Sequence, residues 1–350
     1  MKIIHLLQSS QFSGAENVVC QIIKMFENDK DIEMAYCSRD GQIRSSLEEK
    51  NIVFFPIVNL NVAEVKRVVN KYKPDIIHAH DMRASVVAAA ATKGIRIISH
   101  IHNSDFLSRK LSLKSVLYYL LSRKYESIIW VSNSCYNGYY FHKKMESKST
   151  ILYNIVNKKE ILLKAESPYD GPQYDIVYIG RLAEPKNPQR LMHIIDHLSK
   201  IYPDIRVAVV GQGELEEETK MLSTELNLNS KVSFLGFMSN PLPVLAHSKI
   251  LVLTSDREGT PMVALEAMAL NKPIVSTPTD GLCDLVIIGK TGYLDEDNYM
   301  FANHLNELLT CEKEYHAFEQ EVEKRFSKFN DVEKYYRKIK ELYEKSKSLS

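Results

Sequence analysis

Short apolar runs that alternate with longer helical patterns are the feature that most constrains the fold of this chain. In the first half, seven such runs lie at 2–7, 32–37, 52–57, 75–79, 95–99, 127–131 and 150–153. Helical patterns such as 15–28 and 84–91 lie between them. Because this alternation is typical of βα units, it predicts a parallel sheet with helices on its faces.

The alternation begins again in the second half, after a break. Residues 166–173 contain two prolines and a glycine without periodicity, which predicts a linker. We therefore predict an α/β protein with two doubly wound, Rossmann-like domains, 1–165 and 174–325, facing each other across a cleft. Residues 326–350 predict a C-terminal helix that could pack back on the first domain. The second-half strands are predicted at 174–180, 205–210, 231–235, 250–254 and 273–276.

Composition narrows the class of protein. A length of 350 residues suits two domains with separate cores. The five cysteines are scattered without Cys-x-x-Cys spacing, which predicts reduced core residues. No signal peptide or apolar run of about 18 residues is visible. We therefore expect a cytoplasmic protein. The net charge of +1 argues against a protein that binds nucleic acid, so no nucleic-acid partner is predicted.

The small net charge conceals an uneven distribution. Residues 1–165 carry 24 Lys and Arg against 15 Asp and Glu, so the excess positive charge lies in the first domain. Within it, the stretch 106–125 has no acidic residue and alternates basic with apolar side chains. Two interpretations stay open: an amphipathic segment on the inner membrane face that presents a lipid-linked acceptor, or a helix packed on its own domain with its basic side in water.

Two carboxylates follow the predicted strand 250–254. Glu258 lies in a loop and Glu266 in an otherwise apolar helix. A buried carboxylate needs hydrogen-bond donors, and vicinal sugar hydroxyls are suitable ones. A solvated Glu near a helix N-terminus is the alternative. Between the two acids the chain turns and starts the helix at Gly259, Thr260 and Pro261, with Pro261 suited to the first helical position.

Two cations follow the predicted strand 174–180. Lys186 precedes a helix that Asn187 would cap, and Arg181 lies five positions earlier. Cations beside helical N–H groups form an anion site suited to a diphosphate, although an ordinary polar loop gives the same pattern. Gly211 and Gly213 follow the next strand, where a tight turn explains them equally well.

Histidines end two strands of the first domain. His78 and His80 end one, and His100 and His102 the other, with His80 and His102 furthest towards the carboxyl ends. A metal site is the alternative, but no carboxylate or cysteine ligands with metal spacing accompany them, so no metal ligand is assigned. The acidic triplet 295–297 is interpreted as a solvated turn.

In combination, these motifs resemble the retaining GT-B glycosyltransferases of family 4, also called group 1. The resemblance implies a nucleotide-diphosphate-sugar donor held mainly by the second domain, and no metal or other cofactor. The motifs in chain order are Gly14-Ala15-Glu16, Gly180-Arg181-Leu182 with Lys186, Gly211-Gln212-Gly213, Phe234-Leu235-Gly236 and the pair Glu258 and Glu266.

The resemblance also implies roles for single residues. Arg181 and Lys186 would neutralise the diphosphate, while Glu266 would bind the ribose. Glu258 would contact hydroxyls of the sugar, beside which His102 would lie. The implied catalytic residues are His102, Glu258, Arg181 and Lys186, and the implied donor-binding residues are Gly14, Arg181, Lys186, Gly211, Glu258, Gly259, Thr260, Pro261 and Glu266.

The chain departs from the family pattern in two places. Asn154-Ile155-Val156-Asn157 replaces the usual Asn-Gly-Val-Asp, and Asp280-Gly281-Leu282-Cys283-Asp284 replaces Gly-Gly-x-x-Glu. Contacts from the second loop are therefore not assigned. The expected function is sugar transfer to a glycan or lipid-linked acceptor in cell-surface polysaccharide biosynthesis. A GT-B nucleotide-sugar epimerase and a His-rich metal-dependent hydrolase are the alternatives.

Overall fold

The structure is a computed structural model that describes residues 1–103 and 107–345, apart from the side chain of Asp280. The chain forms two compact units. Unit 1 contains Met1–Asn154 together with the chain from Val332 onward, and unit 2 contains Ile155–Asp331. Elements are numbered along the chain.

Unit 1 is built on a seven-stranded sheet in which every neighbouring pair is parallel. Its strand order is β3-β2-β1-β4-β5-β6-β7. All seven predicted strands are present, since nearly continuous apolar runs suit the strands of a parallel sheet. The strands are β1 Lys2–Leu6, β2 Glu33–Arg39, β3 Phe54–Ile57, β4 Ile76–His80, β5 Arg96–Ile101, β6 Ser127–Trp130 and β7 Ser149–Ile151.

The helices of unit 1 begin at polar capping residues where the sequence offers them. Asn61 accepts from the Glu64 N–H at 3.0 Å at the start of α3, and Ser112 and Ser115 form a capping box for α5. The helices are α1 Gly14–Met25, α2 Ile43–Glu49, α3 Val62–Tyr72, α4 Asp81–Ala91, α5 Leu113–Leu121, α6 Asn133–Gly138 and α15 Val332–Glu344.

Unit 2 has a six-stranded parallel sheet in the order β10-β9-β8-β11-β12-β13. The five predicted strands are present, and the edge strand β13 is additional. The strands are β8 Tyr174–Ile179, β9 Val207–Val210, β10 Val232–Gly236, β11 Ser248–Leu253, β12 Ile274–Ser276 and β13 Gly292–Leu294. The helices are α7 Lys158–Ala165, α8 Pro188–Ile201, α9 Glu216–Glu225, α10 Leu242–Ala246, α11 Met262–Ala269, α12 Asp280–Leu285, α13 Asn298–Thr310 and α14 Glu312–Phe329.

The boundary between the units lies earlier than the predicted linker at 166–173. Helix α7 belongs to unit 2 because it packs against α10 and α11. The Asn240 side chain also donates to the Lys164 carbonyl at 2.9 Å, which ties the end of α7 to unit 2. The chain therefore passes from one unit to the other between Asn154 and Ile155.

The predicted C-terminal helix over 326–350 is two elements. Residues up to Phe329 continue α14. Its C-cap residue is Asn330, whose side chain bonds the backbone of Val156 at 2.7 and 2.8 Å. Helix α15 then belongs to unit 1, where Lys340 pairs with Asp29 at 2.8 Å. Residues 346–350 of the predicted helix lie outside the described residues.

Among the residues that the structure describes, no helix combines the length and the apolar content needed to cross a bilayer. Three of the cysteines predicted to be core residues are buried: Cys20, Cys37 and Cys135. Cys283 is exposed on the short helix α12 instead, so that prediction is wrong for this residue.

Candidate functional site

Three loops meet at the carboxyl edge of the unit 2 sheet, where ligands of open parallel sheets bind. The Thr254 hydroxyl, after β11, donates to the carbonyls of Lys186 and Asn187, after β8, both at 3.0 Å. The loop after β12 joins them because the Gly281 N–H donates to the Glu258 carbonyl at 3.4 Å. The backbone of this edge is thus held by hydrogen bonds between loops.

Asn187 organises the start of α8, as its predicted role as an N-cap requires. Its backbone adopts the left-handed conformation, with φ of 49°, and its side chain accepts from the Arg190 N–H at 3.1 Å. Its amide donates to Asp256 at 3.1 Å. Pro188 is the first helical residue. This geometry holds Lys186 immediately before a helix N-terminus.

Lys186 and Glu258 form an ion pair with each other. The Lys186 side chain is 29% exposed and that of Glu258 is 11% exposed, and the Ser255 hydroxyl donates to the same carboxylate oxygen at 2.7 Å. The resemblance assigned the two residues to different parts of a donor. The structure therefore brings a cation and a carboxylate together in a mostly buried position, where each neutralises the other.

Arg181 has a different partner. Its guanidinium lies 3.6 Å from the carboxylate of Glu214, which follows β9, and both side chains are exposed. Such exposed pairs contribute little to stability, so the guanidinium is easily redirected towards another anion. Arg181 and Lys186 thus lie on the same loop, but their side chains pair with different carboxylates.

Two glycines allow the site loops to pack closely. A Cβ on Gly211 would lie 1.9 Å from the carbonyl oxygen of Gly180, and one on Gly281 would lie 1.4 Å from that of Gly259. No real Cβ approaches a backbone atom so closely, so both positions require glycine. Gly211, implied as a donor contact, has a packing role here, and Gly281 is a site-shaping residue that the sequence had left unassigned.

Helix α11 begins one residue later than predicted. Pro261 is its N-cap residue and keeps an extended conformation, with ψ of 127°, because it follows the buried turn at Gly259 and Thr260. In the described structure, the side chain of the N-cap residue Pro261 makes no hydrogen bond to the first helical amides of α11. These amides are therefore the kind of group that binds anions.

Glu266 lies in the second turn of α11 and is half-buried. No residue in 1–103 or 107–345 donates a hydrogen bond to its carboxylate. Burial raises the pKa of this carboxyl to about 7, an effect that the positive charge of Lys164 partly opposes. The carboxylate is therefore well suited to accept hydrogen bonds from the hydroxyls of a ligand.

The first-domain candidates lie in unit 1. Gly14 is the exposed first residue of α1, after β1. His102 follows β5 and is mostly buried, its Nε2 atom lying 2.8 Å from Nδ1 of His80 and its backbone N–H donating to Asp81 at 3.2 Å. Burial lowers the pKa of His102 to about 3, so its imidazole is neutral at physiological pH.

The structure adds His5 to the four histidines that the sequence singled out. It lies on β1, beside β4, and bonds His80 at 3.0 Å. The sequence did not single it out, because one histidine in an apolar strand carries no signal of its own. Two sets of three in this cluster could each place one ring nitrogen per residue around a cation: His5, His78 and His80, and His80, His100 and His102.

The acidic triplet 295–297 lies at the start of α13 and caps this helix. In the triplet 295–297, Asp297 accepts from the N–H groups of Tyr299 and Met300 at 2.9 Å and so caps α13. Asp295 accepts from the Asp297 N–H at 2.8 Å. These carboxylates satisfy backbone donors at the start of a helix, which accounts for their spacing.

The basic stretch 106–125 includes α5, which turns three of its four leucines outwards. Helix α5 buries Ser115 and Tyr118, whereas Leu113 is 84% exposed and Leu117 and Leu120 are exposed as well. Arg123, Lys144 and Lys148 line a shallow pocket just beyond its end. Phe106 lies outside the described residues. A basic surface with unburied apolar side chains is therefore present on unit 1.

Comparisons with known proteins define the class. Residues 160–325 match the family described as glycosyl transferases group 1, and residues 12–160 match glycosyltransferase family 4. Together these matches span nearly the whole chain, which therefore belongs to the GT-B glycosyltransferases of family 4. The protein is a transferase with the predicted α/β GT-B fold.

Three similar proteins represent this family. An uncharacterised glycosyltransferase of Methanocaldococcus jannaschii is 27% identical over 78% of this chain and 76% of its own length. The UDP-Gal:α-D-GlcNAc-diphosphoundecaprenol α-1,3-galactosyltransferase of Escherichia coli is 25% identical over 98% of this chain and 96% of its own. The crystal structure of Anabaena HepE with UDP and glucose has a TM-score of 0.84 at 22% identity, and the alignment covers 99% of this chain and 100% of that one.

Proposed function

We propose that this protein is a retaining, metal-independent glycosyltransferase that moves a sugar from a nucleotide-diphosphate sugar to a glycan or lipid-linked acceptor in cell-surface polysaccharide biosynthesis. The observation that carries the proposal is the group at the carboxyl edge of unit 2. There Lys186 and Glu258 lie on loops, and Glu266, whose carboxylate accepts no hydrogen bond from residues 1–103 or 107–345, lies on α11. Hydrogen bonds between the loops hold this edge together. The names of the E. coli relative and of the Anabaena complex support a nucleotide-sugar donor.

The cations are assigned to the diphosphate. A phosphate oxygen that contacts Lys186 shares its ammonium with Glu258, and Arg181 can leave its exposed partner Glu214 to add a second charge. The first amides of α11 supply further donors. Charge that develops on the leaving diphosphate is thus stabilised by the chain itself, without a metal ion.

The carboxylates are assigned to hydroxyl groups. Glu266 accepts from the ribose, and Glu258 accepts from the transferred sugar while Ser255 and Lys186 hold its orientation. Gly259, Thr260 and Pro261 bring the backbone to the donor. Neither carboxylate is assigned as a nucleophile, because front-face attack with retention lets the leaving phosphate accept the proton of the acceptor hydroxyl.

Donor binding at Glu266 can be tested by measuring the protons that are released on binding. At pH 7 about half of these carboxyls carry a proton, because the pKa is about 7. Hydroxyls that donate to the carboxylate favour its ionised form, so binding should release a fraction of a proton. Calorimetry at pH 7 with UDP, GDP and ADP sugars, in buffers of different ionisation enthalpy, measures this release. Binding without release, or equal release in Glu266→Gln, contradicts the ribose assignment.

The reaction itself needs a separate test. Purified protein should release nucleotide from a nucleotide sugar only when an acceptor is present, and the rate should not change in excess EDTA. Release without acceptor, or epimerised donor recovered from the mixture, would support the epimerase. Loss of activity in EDTA would contradict metal independence and favour chemistry at the histidines.

We also propose that unit 1 binds the inner membrane face through α5. The exposed leucines supply an apolar contact, and the basic residues beside them, including Arg123 and Lys144, attract anionic lipid headgroups. Sedimentation with phosphatidylglycerol vesicles should show binding at low salt that weakens at high salt. The variant Leu117→Glu with Leu120→Glu should lose at least about tenfold in affinity.

The matched control is Leu163→Glu, an exposed leucine on α7 of unit 2. It should bind vesicles as the wild type does. Equal binding by the double variant and the wild type would contradict the membrane proposal.

A further inference from the structure

Three imidazoles of unit 1 form a linear chain of hydrogen bonds, here called the histidine chain: His5, His80 and His102. Nδ1 of His5 lies 3.0 Å from Nε2 of His80, and Nδ1 of His80 lies 2.8 Å from Nε2 of His102. The rings of each bonded pair are within 25° of coplanar. Each nitrogen thus faces the edge of the next ring, as a hydrogen bond requires.

The histidine chain permits only two arrangements of its protons. A neutral imidazole has one N–H and one lone pair, so each ring that donates through one nitrogen accepts through the other. In the first arrangement His5 donates to His80, His80 donates to His102, and the proton of His102 lies on Nδ1. In the second arrangement every proton is on the opposite nitrogen, and His102 presents a lone pair at Nδ1.

The two ends of the histidine chain differ in their surroundings. Nε2 of His5 and Nδ1 of His102 have no hydrogen-bond partner in the described part of the chain. Each arrangement leaves an N–H at one end and a lone pair at the other. Both end nitrogens are themselves buried, but His5 lies within β1 at 0% exposure, whereas His102 follows β5 at the carboxyl edge of the sheet and retains 8%. A buried N–H without a partner is rarer in proteins than an unsatisfied acceptor, so the N–H belongs at His102, at the edge where open parallel sheets bind ligands.

We propose that the histidine chain holds His102 in the Nδ1–H tautomer, with His80 as the positioning residue. A ligand oxygen that reaches His102 therefore meets a neutral hydrogen-bond donor, and not a base. The role of this donor towards the sugar rests on the proposed function, whereas the tautomer does not.

The proton positions can be read directly by nitrogen NMR of protein labelled with ¹⁵N-histidine at pH 8. In the wild type, Nδ1 of His102 should give the signal of a protonated nitrogen and Nε2 that of an unprotonated one. His247 serves as an internal reference, because its Nδ1 lies 2.8 Å from the Pro243 carbonyl and must donate to it. The variant His102→Gln identifies the His102 signals.

Two substitutions of His80 test the positioning role. In His80→Asn the side-chain amide takes the place of Nδ1 and can still donate to His102, whereas His80→Leu has no donor. We expect His80→Leu to show both tautomers of His102 and to lose about tenfold in kcat, with KM for the donor within about twofold, since one neutral hydrogen bond is involved. His80→Asn should restore the single tautomer and most of kcat.

Several results would overturn the proposal. An unprotonated Nδ1 on wild-type His102 contradicts the tautomer, and so does a stoichiometric metal ion in protein purified without a histidine tag. An unchanged kcat in a folded His80→Leu variant contradicts the positioning role. If His80→Leu fails to fold, the wild-type and His80→Asn spectra still decide the tautomer. Absence of transferase activity contradicts the proposed function alone, because the NMR result needs no turnover.

Discussion

Replacing Glu266 by Gln should make this protein more stable at alkaline pH while weakening donor binding. Glutamine has nearly the shape of a protonated glutamic acid, so it removes the buried charge and preserves packing in α11. The carboxylate has no hydrogen-bond donor among the described residues, and burial raises its pKa from 4.5 to about 7. The folded protein therefore disfavours the ionised side chain.

The size of the effect follows from this pKa. The folded state binds the proton more tightly than the unfolded state, so stability falls as the pH rises from about 4.5 to about 7. One pKa unit is worth about 1.36 kcal/mol. The wild type should therefore lose roughly 3 kcal/mol through this group at pH 8, and under about 1 kcal/mol at pH 5. Glu266→Gln avoids both losses.

Urea unfolding of the wild type and the variant at pH 5 and pH 8 measures the difference. The gain in the free energy of unfolding should approach about 3 kcal/mol at pH 8 and fall below about 1 kcal/mol at pH 5. The control is Glu225→Gln, an exposed carboxylate at the end of α9. It should change stability by less than about 0.5 kcal/mol at either pH.

The stability gain should be accompanied by a loss of function. A carboxylate that lowers the stability of the fold is expected where it binds a ligand. Donor affinity should therefore fall in the same variant, because the amide replaces one acceptor oxygen by a donor. The burial argument would be refuted if the variant's gain in stability over the wild type were no larger at pH 8 than at pH 5. A stabilised variant with unchanged donor affinity would refute the assignment to the ribose.

Two other predictions concern the same edge of unit 2. Lys186→Ala and Glu266→Ala should each lower turnover at least about 10²-fold in a nucleotide-release assay, since each removes a charged group assigned to the donor; near-normal turnover in both contradicts the site. Gly281→Ala should cost over about 2 kcal/mol in thermal unfolding, because its Cβ would lie 1.4 Å from the Gly259 carbonyl oxygen. Gly289→Ala has open space and φ of +73°, so it should cost only about 1 kcal/mol, and equal losses would contradict the contact.

The sheets could be predicted because their strands are buried on both faces. The run 250–253 is apolar at every position, as a central parallel strand buried on both faces requires. The edge strand β13 escaped prediction because Gly292–Leu294 has three residues and begins with glycine, so it has no apolar run. Its place depends on pairing with β12, which is a tertiary interaction.

The unit boundary could not be predicted from local pattern. The composition of 166–173 correctly indicates a segment without helix or strand, but such a segment can lie within a unit as well as between two. Whether α7 belongs to unit 1 or unit 2 depends on its packing partners α10 and α11, which lie more than 70 residues further on. Local periodicity shows that a helix forms and not what it packs against.

The site shows the same division between local and tertiary information. Spacing identified Lys186, Glu258 and Glu266 as candidates, since capping and turn residues mark where a strand ends and a helix begins. It could not show that Lys186 and Glu258 pair with each other, because that contact joins the loops after β8 and β11, two strands that lie side by side in the sheet but not in the chain.

The histidine chain shows why some functional clusters are invisible one strand at a time. In the parallel register His5 lies beside His78 and His80 lies beside His100, so residues from three strands meet on one face. His5 and His78 are flanked by apolar residues in sequence and resemble satisfied core residues. Only the strand order β1-β4-β5 makes the group apparent. Because doubly wound sheets place the first strand beside the fourth, a polar residue in the first strand should be examined together with those of the fourth whenever this topology is predicted.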